Sequence, residues 1–109
     1  MINNIQESGS VMKFSNCTNA DKSLTGNISD VVLDANSART YAAFINNSSV
    51  DITIVLADKT NAAVGKGIIL KPRGGSYEIN SSNLYIGKIS AIATNNCKLS
   101  FVECNNGSL

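Results

Sequence analysis

Apolar and polar positions fall into two regimes along this chain. Over residues 1–27 they show no period: Ile2, Ile5, Val11, Met12 and Phe14 are scattered among Asn, Ser and Gly. From residue 28 onward, short apolar, β-branched segments recur, each bounded by Asn, Ser, Asp or Gly. These predict strands at about 30–34, 39–46, 51–57, 67–71, 76–80, 84–94 and 97–104. A spacing of roughly 8–12 residues between short strands is that of a sandwich or barrel. No ten-residue stretch carries a 3.6-residue period, so 57–66 is expected to be an ordered loop with at most one helical turn. The expected fold is all-β: a single antiparallel β-sandwich, jelly-roll or Ig-like, of about seven to eight strands. It would occupy residues 28–109, with residues 1–27 as an extended N-terminal arm.

Alternation within the strands assigns their faces. Ile52, Ile54 and Leu56 oppose Thr53, Val55 and Ala57, and Leu99 and Phe101 oppose Lys98 and Ser100. Both are half-buried patterns with one face on a core. Strand 39–46 is apolar on both faces, with Ala42 and Phe44 on one side and Tyr41, Ala43 and Ile45 on the other. A two-layer sandwich has only one core face per strand. Tyr41, Ala43 and Ile45 are therefore expected to form an interface with another chain, with Arg39 on its polar rim. The second candidate contact is the arm, through Ile2, Ile5, Val11, Met12 and Phe14, packed on a neighbouring surface rather than on its own core. Closed homo-oligomers are the common solution for such chains, so a homo-oligomer is expected.

The breaks between strands have mechanisms. Asn46-Asn47-Ser48-Ser49 suits a turn, because Asn tolerates the left-handed region and Ser hydroxyls cap loops. Lys71-Pro72-Arg73-Gly74 suits a β-turn with Pro at its second position. Asn95-Asn96 is expected to join the last two strands as a tight type I′ hairpin.

Composition narrows the chemistry. Polarity rests on 15 Asn, 14 Ser and 6 Thr rather than on charge, since charged residues are only 16% and the formal net charge is +1. That balance argues against binding nucleic acid through its phosphates. No apolar run approaches the ~18 residues of a membrane span. With no His, an imidazole base, a Ser-His-Asp triad and a histidine metal site are all excluded. The opening MINNIQESGS has neither a basic start nor an apolar core, so a non-secreted chain is expected. The three cysteines Cys17, Cys97 and Cys104 are then expected to be free, largely buried thiols, with a Cys17–Cys97 bridge as the open alternative. Cys97 and Cys104 flank one strand, roughly 23 Å apart at about 3.3 Å per residue, too far to bridge.

The remaining candidates are weak. Asp30 and Asp34 lie about 13 Å apart at strand rise, too far for a paired acid and base. Asp51 or Asp58 could contribute to a loop calcium site, but no DxDxDG spacing supports one. Gly65-Lys66-Gly67 lacks the full phosphate-loop spacing. Tyr41, Tyr77 and Tyr85 could form a sugar-binding platform. The expectation is a non-enzyme without metal or cofactor.

From Arg39 onward the order of elements becomes specific. Arg39 opens an apolar strand that closes on Asn46-Asn47-Ser48, and an alternating-Ile strand follows. Then come the segments Gly67-Ile68-Ile69-Leu70-Lys71-Pro72-Arg73-Gly74-Gly75-Ser76-Tyr77, Tyr85-Ile86-Gly87-Lys88-Ile89-Ser90-Ala91-Ile92 and Phe101-Val102-Glu103. Over about 39–104 this resembles the small β-sandwich virion proteins of tailed phages and prophages, departing from their pattern by inserting Arg73 between Pro72 and the glycines. The resemblance implies a virion structural protein made in the host cytoplasm, most readily a capsid cement or decoration protein. It would bind the major capsid protein or other virion proteins through its arm and an apolar strand face, with a homo-trimer favoured because it would suit a lattice with local threefold axes. The alternative is a phage tail or fibre module, or a bacterial β-sandwich module, that binds surface glycans.

Overall fold

The computed structural model of the chain describes residues 14–106. Eight strands fill it: β1 (Asn16–Leu24), β2 (Asp30–Leu33), β3 (Arg39–Asn46), β4 (Ile52–Val55), β5 (Ile68–Leu70), β6 (Gly75–Ile79), β7 (Ile89–Ala93) and β8 (Cys97–Asn105). They form two four-stranded sheets, ordered β1-β8-β3-β6 and β2-β7-β4-β5. Every pairing is antiparallel, and β1 pairs with β8, β2 with β7, β3 with β6 and β4 with β5. That is one long antiparallel ribbon, folded at β4–β5 and rolled so that successive strand pairs alternate between sheets. Of the two expected sandwich types, this strand order is the jelly roll.

The strand order corrects three expectations. Asn16–Leu24 is not part of an arm: it forms a nine-residue strand paired with β8 from Asn16↔Asn105 to Leu24↔Cys97. Its exposed, polar residues hid it, because an edge strand held mainly by backbone hydrogen bonds needs no apolar alternation. Asn95-Asn96 is not a hairpin, since β7 and β8 lie in different sheets. Neither asparagine has positive φ, which a type I′ turn demands at both centres. The segment 84–94 is a strand only over Ile89–Ala93. Upstream, the carbonyls of Tyr85 and Gly87 accept from the Arg39 guanidinium rather than from a ladder partner.

The core lies between the sheets and is built from Leu24, Leu33, Ala42, Phe44, Ile52, Ile54, Leu70, Ile79, Ile89, Ala91 and Leu99, with Leu56, Tyr77, Tyr85 and Phe101 packed at its margin. The expected facing of β3, β4 and β8 therefore holds. β7 is buried at all five positions, because the 57–67 segment covers its outer side. There Ser90 Oγ donates to the Ala57 carbonyl at 2.8 Å, and the Gly65 amide donates to Thr53 Oγ1 at 3.0 Å. A 3₁₀ turn at Lys59–Asn61 is the single helical turn expected in this loop.

The turn at Asn46 ties the two sheets together. Asn46 is fully buried, and its Nδ2 donates to the Val50 and Leu70 carbonyls at 2.7 and 2.8 Å. Its Oδ1 accepts from the amide and hydroxyl of Ser48. The neighbouring turn delivers the Gly74 amide to the Asn46 carbonyl at 2.7 Å. Reaching that position puts Arg73 in the left-handed region, at φ 61°. Gly75 follows where a Cβ would collide with the Lys71 backbone.

Candidate interaction surface

The outer face of the β1-β8-β3-β6 sheet carries the candidate residues of β3. Ala42 and Phe44 point into the core at 0% and 1% exposure, which turns Tyr41, Ala43 and Ile45 outward. The register sets Val102 of β8 beside Ala43 and Ser100 beside Ile45. On the far side of β8, Asn19 and Asp21 of β1 pair with the same two residues. On the other flank, Glu78 and Ser76 of β6 pair with Ala43 and Ile45. The result is an apolar strip of Tyr41, Ala43, Ile45 and Val102 with a polar rim on both sides. Ala43, Ile45 and Val102 line a shallow open trough of about 560 Å³.

Tyr41 sits at one end of the strip. Its hydroxyl donates to Glu78 Oε2 at 2.6 Å, and its ring stacks on that of Phe14 with centroids 5.1 Å apart. The hydrogen bond to Glu78, and secondarily burial, push the Tyr41 phenol above its ordinary value, because ionisation would face a carboxylate. Phe14 therefore lies against the outer sheet face of its own chain, where the arm was expected to meet a neighbour, although it remains 42% exposed. Ile2, Ile5, Val11 and Met12 lie outside the described residues.

Arg39 is not on a rim. It is 1% exposed, and every arm of its guanidinium is engaged. Nε donates to Glu103 Oε2 at 2.8 Å, Nη1 to the Tyr85 and Gly87 carbonyls, and Nη2 to the Asp34 carbonyl at 2.8 Å. Asn36 Nδ2 donates to the same Glu103 oxygen at 3.3 Å. The planar, five-donor guanidinium can bridge a carboxylate and several loop carbonyls at once. Arg39 therefore pins the β2–β3 and β6–β7 connections to β8, which removes it from the interface residues.

The cysteines also differ from expectation. Cys17 and Cys104 face each other across β1 and β8 and form a disulfide, and Cys97 is free and half-buried. Burial raises the Cys97 thiol, against a lowering hydrogen bond from Ser48. The bridge was missed because its strand β1 was missed: without the β1–β8 register, nothing in the spacing brings residue 17 to residue 104.

Other candidate chemistry is dispersed. Asp51 pairs with Lys71 at 3.3 Å and Asp58 with Lys88 at 3.4 Å. Asp30 pairs with Lys22 at 2.9 Å. The Gly65 amide points inward to Thr53 rather than toward an anion. Tyr77 and Tyr85 pack against the core while Tyr41 lies on the outer sheet face, so the three do not form one platform. Val102 completes the strip and escaped the sequence reading. Its outward alternation with Ser100 and Lys98 was the signal that could have found it. No protein-family model, curated protein or solved structure matches the chain.

Proposed function

We propose that this chain is a structural protein of a tailed-phage virion, a capsid decoration protein that binds the head lattice and stabilises it. The observation that carries this reading is the strip of Tyr41, Ala43, Ile45 and Val102 on the outer face of its sheet. Contiguous apolar surface rimmed by polar residues marks contact sites. Two further points support it. The sequence order from Arg39 to Glu103 resembles that of such virion proteins, and jelly rolls recur in viral capsids, although a fold hosts many functions. A disulfide also suits a protein that ends outside the reducing cytosol, as on a virion surface. Repeated copies on a lattice would convert a modest strip into firm attachment, because each contact raises the effective concentration of the next.

The test is to purify particles from the strain that carries the gene and to probe heads and tails for the chain. It is expected in the head fraction, and Ile45→Asp is expected to fold normally yet leave the particles. Absence of the wild-type chain from particles, or binding to a glycan array at the same strip, would overturn the proposal.

A further inference from the structure

We propose that the Cys17–Cys104 pair is a thiol-exchange site. Cys17 is the sulfur that takes low-molecular-weight thiols, and the state of the pair governs whether the N-terminal half of β1 stays on β8. This rests on the strand geometry alone and does not depend on a virion role.

The asymmetry of the pair sets the direction of attack. Cys17 lies on an exposed stretch of β1, whereas Cys104 is 1% exposed beside Tyr41 in the register of β3 and β8. Exchange requires a thiolate to approach one sulfur of the disulfide, and only Cys17 presents an open side. A glutathione-class thiolate bonds to Cys17 Sγ. The Cys17–Cys104 bond breaks, and its electron pair leaves on Cys104 Sγ, which takes a proton from water. A second thiolate then attacks the glutathione sulfur, releasing Cys17 and an oxidised glutathione. Oxidation by a low-molecular-weight disulfide runs the same steps in reverse and yields two reduced thiols.

The consequence follows from how β1 is held. Among the described residues it is an edge strand whose hydrogen-bonded partner is β8 alone. Its buried apolar anchor, Leu24 at 3% exposure, lies at the C-terminal end. Lys22–Asp30 and the Ser100 hydroxyl donating to Asp21 also hold that half. Over Asn16–Ala20 the residues are exposed, and Cys17 supplies the cross-strand side-chain link, aided upstream by the Phe14–Tyr41 stack. Local openings concentrate where few apolar contacts are buried. With the disulfide cut, this half of β1 leaves while β8 remains paired with β3. The free edge of β8 over Phe101–Asn105 then becomes available to an added strand.

The experiment is hydrogen exchange by mass spectrometry on the full chain, disulfide-bonded against reduced. Peptides covering Asn16–Ala20 are expected to exchange at least tenfold faster when reduced, with β4 and β7 unchanged. Equal protection in both states, or loss of protection throughout, overturns the proposal. A brief exposure of the oxidised protein to glutathione, quenched in acid and mapped, checks the direction independently. Glutathione is expected on Cys17 with a free thiol at Cys104, and glutathione on Cys104 would overturn the assignment. Repeating the mapping in Cys97→Ser removes exchange through the third cysteine.

Discussion

Arg39 and Glu103 form a buried ion pair, Nε to Oε2 at 2.8 Å, with the arginine side chain wholly enclosed and the glutamate side chain 19% exposed. The pair joins the start of β3 to the end of β8, and three loop carbonyls complete the guanidinium's partners. Removing one member of a buried pair strands the other, at about 3–5 kcal/mol. Glu103→Leu is therefore expected to destabilise the fold by roughly that amount in urea denaturation. Arg39→Met combined with Glu103→Leu should recover part of the loss, because the double variant leaves no unpaired buried charge.

Asn46 presents a buried amide whose donors and acceptor are all used. Asn46→Ala leaves the Leu70 carbonyl without that donor, while the Val50 carbonyl keeps the Ser48 hydroxyl at 3.1 Å. An unsatisfied buried group costs about 1–3 kcal/mol, so a loss of about that size is expected. Asn46→Asp keeps the shape but turns a carboxylate toward two carbonyls, and its melting temperature should fall further than that of the alanine variant.

Core truncations should grade with burial. Leu99 is fully enclosed, and Leu99→Ala is expected to cost about 2–5 kcal/mol. Leu56 lies on the expected inward face but only at the margin of the core, so Leu56→Ala should fall at or below the lower end of that range. Chemical denaturation of the two variants side by side checks the order.

Arg73 stands with φ 61° on an exposed turn. The left-handed region costs a non-glycine residue about 1–2 kcal/mol, while glycine loses more backbone entropy on folding, about 0.5–1 kcal/mol. Arg73→Gly is thus expected to stabilise the protein by up to about 1 kcal/mol, read as a higher denaturation midpoint with an unchanged slope.

Tyr41 should titrate above its ordinary value of 10.0, because its hydroxyl donates to Glu78. A phenol raised in the folded state favours the protonated form there. Its contribution to stability is complete below the unfolded value and is lost as pH rises through the raised one. Tyrosinate absorbance should show one phenol moving to lower pH in Glu78→Gln. Asp30 has the opposite sign. Its hydrogen bond from Lys22 leads the causes that lower it, so its contribution is present at neutral pH and lost as pH falls through the lowered value.

The sequence by itself determined the inward faces of β3, β4 and β8, since a period of two is written directly in Ile52-Thr53-Ile54 and Ala42-Ala43-Phe44. It also determined that Tyr41, Ala43 and Ile45 lie outward, because a sandwich strand has one core face. Only the tertiary structure decided what depends on which strands become neighbours. β1 has no apolar alternation, so its membership in the sheet comes from the backbone ladder it makes with β8, some eighty residues away in sequence. The Cys17–Cys104 bridge exists only through that register. Arg39 reads as a surface residue by type, and it is buried because the rolled ribbon brings Glu103 and the Asp34, Tyr85 and Gly87 carbonyls around it. Local pattern specifies which side of a strand is apolar; long-range pairing specifies what each side meets.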